Sequence, residues 1–448
     1  MKSDHLVHQR LQEAFELLWS DFVDPRDAFA GDDGLAWQEL SAGAATSPIA
    51  AERLADVRQQ CRELLVSNEF AINGIENRIS YIVGPGHTYQ AVVRKHATAP
   101  ESLASEVQQV IDEFLETNDW HNRQQEIVRR TDRDGEAFIR LFATAEGATQ
   151  VRFVEPEQVA TPNARFNDPA ASLGILTSKH DVETVHGYFV DGELVPAAEV
   201  QHRRANVDRN VKRGLPLYLP VRKNLRRAEK LLRNMSMVAE IQSAIALIRK
   251  HRAATRTGVE QFVVSQADAT VAQPSGRIEQ LTQYGPGTIL DAPSHVEYEF
   301  PATGVDASAF VEILQAELRA IAARLVMPEF MFTSDASNAN YASTMVAEGP
   351  AVRMFERLQA GMTRDDAQLL WRVIDHATTA GRLPVNVRQL IDVQITPPTL
   401  VTRDALREAR VMQMAYENRL VSPQTWSRRL GLDYEQEQQN LRVHEKQS

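Results

Sequence analysis

From Val221 to about Arg252, the apolar residues Leu225, Ala228, Leu232, Met235, Val238, Ile241, Ile245 and Ile248 recur every three or four positions. That period predicts one long amphipathic helix. Lys223, Arg226, Arg227, Lys230 and Arg233 fall on its opposite face. A second long helix is expected over Ala307–Leu325, after an irregular, strand-like stretch at 257–305 that contains "EQFVVSQ", "GTILDAP" and "HVEYEFP". Two similar helices flanking a small β excursion are most simply arranged as an antiparallel pair with the excursion at its tip. Long one-sided helices of this kind leave surface that a monomer underuses, so a self-associating chain is expected.

The chain before this pair changes period twice. Residues 51–83 predict a helix that stops at the breaker Gly84-Pro85-Gly86. A second helix is expected from Leu103 to about Arg130, with Val107, Val110, Ile111, Phe114 and Leu115 on one face. Then come the short β-branched and aromatic runs "EAFIRLFAT", "TQVRFVEPEQV", "LGILTSKHD", "VHGYFVDGELV" and "EVQHRRA". They predict a small antiparallel sheet over 135–205, with a hairpin turn at Val190–Glu193. After the long pair comes "SDASNANYAST", Ser334–Thr344, which carries one charge and mostly small side chains. Most helix–helix connections are shorter. A helix from about Pro350 to Thr378, a strand within "VNVRQLIDVQITPP" and two or three helices from Thr402 to His444 complete the expectation. Residues 1–50 hold one helix candidate, with Leu6, Leu11, Phe15 and Leu18, and a small-residue stretch. They read as an arm that needs a partner surface.

Composition bounds the function classes. The chain is 43% hydrophobic and 24% charged, ordinary for a soluble protein, and no run approaches the ~20 apolar residues of a membrane span. The mixed polar N-terminus does not read as a secretory signal. The single cysteine, Cys61, allows no internal disulfide and lies in a helical pattern, so it reads as a packing residue in a reducing compartment. The net charge of −11 is segregated: His202–Arg256 holds 15 Lys and Arg against 3 Asp and Glu. Such local basicity suits nucleic acid, an acidic partner or a subunit-facing surface. The acidity elsewhere argues against tight, sequence-independent DNA binding as the main task.

Catalytic patterns are missing from the sequence. There is no G-x-x-x-x-G-K-[ST] loop, no H-E-x-x-H, no cysteine-pair knuckle and no G-x-S-x-G. "GPGHTY" and "GPGTIL" read as turns, because proline lacks the N–H that an anion cradle uses. "DRDGEAF" resembles the start of a calcium loop but lacks the later ligands, so it reads as a turn before a strand. The 12 histidines show no ligand spacing, and His202 reads as part of a basic edge beside Arg203 and Arg204. No catalytic residue, metal ligand or cofactor is expected. The remaining enzyme reading is a metal-dependent DNA-processing enzyme whose carboxylates converge only in the fold.

Five stretches in order carry a resemblance. They are "RELLVSNEFAINGIENRISYIVGPGHTY", "DEFLETNDWHNRQQEIVRRTDRDGEAFIRLF", "VPAAEVQHRRANVDRNVKRGLPLYLPV", "QYGPGTILDAPSHVEYEFPATGVDASAFVEILQAELRAIAARLVMPEFMFTSDASNANYASTMVAEGP" and "ITPPTLVTRDALREARVMQMAYENRLVSPQTWSRRLGLDYEQEQQNLRVHE". Over roughly 55–445 the chain resembles tailed-bacteriophage portal proteins of the lambda-like branch. It departs from them at Ala342-Ser343, where the family commonly has Ser-Ser, and residues 1–50 have no clear counterpart.

The resemblance implies an α+β, mainly α, non-enzymatic portal-type subunit and head–tail connector. It implies an N-terminal arm (1–50), a helix–sheet wing (51–220), stem helices (221–253 and 306–327), a clip (254–305), a tunnel loop (328–349), a wing helix and strand (350–399) and a crown (400–448). It further implies a ring of usually twelve subunits in the capsid vertex of a virion, assembled in host cytoplasm. Its expected partners are double-stranded DNA, the terminase large subunit, a major capsid or scaffolding protein and a head–tail adaptor, with no membrane. Within it, Ser337, Asn338, Asn340 and Tyr341 would line the DNA channel. The basic face Lys223, Arg226, Arg227, Lys230 and Arg233 would lie on the stem. Another oligomeric head or tail adaptor is the alternative within assembly proteins.

Overall fold

The computed structural model describes residues 51–95, 97, 100–251, 288–293, 307–335, 341–400 and 405–429, with isolated positions from 434 to 442. The helix expected in 1–50, the strands "EQFVVSQ" and "HVEYEFP" and residues 336–340 lie outside them. The fold is α+β and mainly α. It divides into two units: residues up to Arg222 with those from Ala322 onward, and residues Lys223–Ile321.

The first unit opens with α1 (Ala51–Ser67) and α2 (Glu69–Ile82). One continuous helix was expected here. Asn68 divides it, leaving helical geometry at φ −107° and capping α2 by accepting from the Ala71 N–H. Cys61 is buried in α1 as a packing residue. After the Gly84–Gly86 corner, β1 (Thr88–Val93) leads to α3 (Glu101–Thr117) and α4 (Trp120–Asp134). The single helix expected over 103–130 is therefore also two. Asp119 takes a left-handed conformation, φ 47°. The Asn118 amide donates to the Phe114 carbonyl at the break.

Two three-stranded antiparallel sheets follow, where one was expected. The first has order β3-β2-β7 (Thr149–Val154, Glu136–Ala143, Val200–Arg204). The second has order β4-β5-β6 (Ile175–Ser178, Asp181–Val190, Glu193–Pro196). The expected hairpin joins β5 to β6. Asp191 and Gly192 both take positive φ, 49° and 87°, and Val190 pairs with Glu193.

From Ala322 onward the unit contains α7 (Glu329–Thr333), α8 (Tyr341–Thr379), α9 (Val387–Leu390), β10 (Ile391–Thr396), α10 (Ala405–Glu417) and α11 (Pro423–Arg429). β10 pairs antiparallel with β1. β1 itself was not foreseen as a strand; its partner lies some three hundred residues away. One face of α8 (Leu369, Leu370, Val373, Ile374, Ala377) packs against Val107, Val110, Ile111 and Phe114 of α3 and against Ile139 and Leu141 of β2. A second core gathers Phe138, Val159, Ile175, Tyr188 and Val195 between the sheets.

The second unit contains α5 (Arg222–Ala244, from Lys223), β8 (Ile245–His251), β9 (Thr288–Pro293) and α6 (Ala307–Leu325, to Ile321). The helix expected to reach 252 ends at Ala244. "IALIRKH" instead pairs in parallel with β9, a non-local partner that the helical period of Ile241, Ile245 and Ile248 conceals. Glu317 of α6 bridges to the start of α5, accepting from Asn224 Nδ2 at 2.6 Å and pairing with Arg227 Nε at 3.0 Å.

Candidate functional site

The basic face predicted on the long helix is carried by α5. Arg226, Arg227, Lys230 and Arg233 are exposed there, whereas Lys223 is half-buried. Leu225 and Ala228 on the other side of the helix are fully buried. Arg227 is tied to Glu317, and Arg233 pairs with Glu229 one turn back at 3.0 Å. Exposed pairs of this kind are worth roughly 0.2–1 kcal/mol. The face is thus exposed at the surface, with part of its charge engaged within the chain.

The small-residue stretch before α8 is shorter than expected. Ser337, Asn338 and Asn340 lie outside the described residues. Tyr341 is the first residue of α8, and the helix begins nine residues before Pro350. Pro350 lies inside α8, at an exposed position beside exposed Gly349. Water can therefore satisfy the carbonyl that its missing N–H leaves free. Thr344, within the quoted stretch, is buried. α7 ends at Thr333 and α8 begins at Tyr341.

The entrance to this connection is fixed by residues that the sequence reading passed over. Asn73 Nδ2 donates to the Phe332 carbonyl at 2.6 Å, and Asn77 Nδ2 donates to the Met331 carbonyl at 3.0 Å. Both asparagines sit on α2, one turn apart, and they cap the C-terminal carbonyls of the five-residue α7. Phe332 is fully buried and lies 5.9 Å from the Phe70 ring. A Cβ on Gly74 would meet Tyr218 Oη at 2.6 Å and Phe332 at 3.3 Å. The Asn-x-x-x-Asn spacing in "FAINGIENR" was the available signal: two amides on one helix face. Ser334 then turns into the left-handed region, φ 59°.

The motif residues of "GEAF", "QHRR" and "KRGLP" converge in the first unit. Glu136 is fully buried and ion-paired with Arg58 and Arg213. It also bonds His202 Nε2 at 2.9 Å and accepts from the Gly214 N–H at 3.1 Å. Burial alone would raise the Glu136 pKa. The guanidinium groups of Arg213 and Arg58, with the His202 hydrogen bond, hold it well below the usual carboxylate range. Burial pushes His202 down to about 4 despite that hydrogen bond. Its ring stacks on Phe138 at 4.1 Å. His202 and Arg203 are therefore not part of a basic edge: Arg203 is buried too, 2.7 Å from Asp366.

Gly135 and Gly214 let these backbones touch. A Cβ on Gly214 would lie 1.9 Å from the Gly135 carbonyl oxygen. The carboxylates of "DRDGEAF" serve the same framework, Asp132 with Arg78 and Asp134 with Arg62 and Arg133. Lys212 is buried, and its ammonium donates to the Ala170 and Ile175 carbonyls and to Ser172 Oγ. Burial lowers its pKa to about 8. These groups brace the sheets. Among the described residues no group of three or more His, Cys, Asp or Glu is placed to hold a metal ion, and no helix is long and apolar enough to cross a membrane.

The family model for phage portal proteins of the lambda family matches residues 31–359. Among solved structures, the chain is similar to one in the neck of an empty gene transfer agent particle computed with C6 symmetry. The identity is 13% over 83% of this chain and 93% of that chain, with a TM-score of 0.47. The virion of the native gene transfer agent particle gives 13% identity over 89% and 98%, with a TM-score of 0.48. A portal protein of an HK97-family phage from Corynebacterium diphtheriae gives 13% identity over 64% and 82%, with a TM-score of 0.31. No curated protein matches the chain.

Proposed function

The chain belongs to the lambda family of phage portal proteins, a head–tail connector component of the virion, and from that membership we propose that it works as one subunit of a twelve-membered ring around a DNA channel. The observation that carries this reading is the family match, which takes in α1 through the first half of α8.

In this ring, residues 51–220 and 350–399 form the wing. The second unit supplies stem and clip toward the packaging motor and the tail adaptor, and 400–448 form a crown inside the head. The role is structural, without ATP or nucleic-acid hydrolysis of its own. The 334–340 connection and the start of α8 face the channel. Strong phosphate attraction multiplied around a ring would hold DNA rather than let it pass. Ser337, Asn338, Asn340 and Tyr341 offer exchangeable hydrogen bonds without fixed charge. The α5 face, led by Arg226, Lys230 and Arg233, meets acidic surface on a neighbouring subunit, with an intra-chain precedent in the Arg227–Glu317 pair. Terminase, a capsid or scaffolding protein and an adaptor are the other partners.

The test is the mass and symmetry of the purified protein. Mass photometry at micromolar concentration and ordinary salt should show a ring-sized assembly, and negative-stain images should show rings with a central hole. A stable monomer under those conditions would overturn the reading.

A further inference from the structure

The Gly84-Pro85-Gly86 corner leads into His87, which is buried. A buried polar cluster begins two residues further on. Tyr89 Oη donates to Asp366 Oδ2 at 2.6 Å, and Gln124 Nε2 donates to the same oxygen at 2.9 Å. Trp120 Nε1 donates to Tyr89 Oη at 3.0 Å. Arg203 Nη2 donates to Asp366 Oδ1 at 2.7 Å, and Arg203 Nε donates to Gln201 Oε1 at 3.0 Å. Residues of β1, α4, β7 and α8 thus meet around one carboxylate, that of Asp366.

Two buried atoms here have no hydrogen-bond partner among the described residues, His87 Nδ1 and Arg203 Nη1. Their residues are only 8% and 5% exposed, so surface water does not satisfy them, and a buried polar atom left unpaired keeps its full desolvation cost. Asp366 links the two. Arg203 bonds it, and the charges of both Asp366 and Arg203 act on the His87 ring. The two atoms are also opposite in kind. His87 Nε2 lies 3.0 Å from the Ile82 carbonyl, which can only accept, so Nε2 carries the ring proton. Burial lowers the His87 pKa. The Ile82 bond and Asp366 act against that shift, and Arg203 and His121 act with it. The ring is therefore neutral at pH 7, and Nδ1 presents a lone pair. Arg203 Nη1 presents only N–H groups.

We propose that one internal water molecule joins these two atoms, accepting from Arg203 Nη1 and donating to His87 Nδ1, and so ties the corner before β1 to β7. Water fits the pair where an ion does not. An anion would accept from Arg203 but has no proton for Nδ1, and it would stand against Asp366. A cation would meet the Arg203 guanidinium. A buried water takes about two to four polar partners. Asp366 Oδ1 accepts from Arg203 and keeps a lone pair for the second proton of the water. The inference rests on packing within the first unit and does not depend on what passes through the ring.

A density map of the full chain at about 2 Å or better tests it. The map should show an isolated peak about 2.6–3.2 Å from both His87 Nδ1 and Arg203 Nη1. Both side chains well defined with no such peak would overturn the proposal, as would a direct hydrogen bond from either atom to another group of the protein. A double-mutant cycle in urea gives a second readout. His87→Phe removes one arm of the bridge. Arg203→Lys removes the other and keeps a charge for Asp366. Once one arm is gone the second has no bridge left to lose. The double variant should therefore shift the unfolding constant about five-fold less than the product of the two single effects. Single effects that multiply to within about two-fold would overturn the proposal.

Discussion

Glu136 and His202 show how one buried contact sets a pH response. His202 has an ordinary pKa near 6.5 when unfolded and about 4 when folded. Between those values the unfolded chain binds one more proton than the folded chain, so stability rises with pH across that window. The groups facing the imidazole agree with this sign. Arg213 and Arg204 oppose its protonation, and Glu136, itself held ionised in the fold, favours it without offsetting burial. Acidification from pH 6.5 to 4 should therefore cost about 3 kcal/mol through His202 alone. As pH falls through the ordinary glutamate range, the unfolded chain takes up a proton at Glu136 while the fold keeps it ionised, which adds a loss of the same sign. His202→Gln keeps an N–H for Glu136 and removes the titration. Urea melts at pH 7 and pH 5 should differ strongly for the native chain and clearly less for this variant. Equal pH slopes would remove His202 from the account. The convergence itself was only half-legible. "GEAF", "QHRR" and "KRGLP" could be quoted as motifs, but burial turned apparent surface charges into a framework, and burial is a property of the fold rather than of the local sequence.

Elements were legible where one local signal dominated. The 190–193 hairpin had a turn dipeptide that accepts positive φ, and α6 had an unbroken apolar period, so both lie where their patterns put them. Boundaries set by side chains from elsewhere were not legible. Asn68 and Asn118 divide helices whose apolar period runs straight through. β1 and β8 depend on strands remote in sequence. The end of α6 is another such case. Val326 N–H donates to the Ala323 carbonyl and Met327 N–H to the Ala322 carbonyl, the paired bonds of a Schellman cap. The left-handed residue in that cap is Val326, φ 54°, where glycine is the usual choice and a β-branched side chain is strained. Val326→Gly should raise stability by about 0.5–1 kcal/mol, the relieved strain less the backbone entropy of glycine. A melting temperature that falls instead would mean that the partly exposed valine makes packing contacts worth more than its strain.

At the scale of the whole molecule, charge is used in two ways, inside the framework and on the surface. The first unit holds a subset of ion pairs that are buried on both sides, at Glu136, Asp132 and Asp366. The basic face of α5 lies exposed on the surface, while 334–344 carries a single charge. That contrast leads to the sharpest expectation for the proposed channel. Asn338→Lys with Asn340→Lys should leave folding and ring formation nearly intact, since residues lining the proposed channel would face water, where substitutions typically change stability by about 0.5 kcal/mol or less. The clamp on α7 by Asn73 and Asn77 lies upstream of the change and is untouched by it. Each subunit would then aim two new charges at phosphate, and the cyclic repeat multiplies them. DNA retention should tighten at low salt and weaken steeply as salt rises, and packaging should slow or stall. Tyr341→Ala should act more mildly. Assembled heads carrying each variant can be compared for ring content and for length of packaged DNA. If the double lysine variant packages to full length at the native rate, with its rings intact, the connection between α7 and α8 does not face the DNA path.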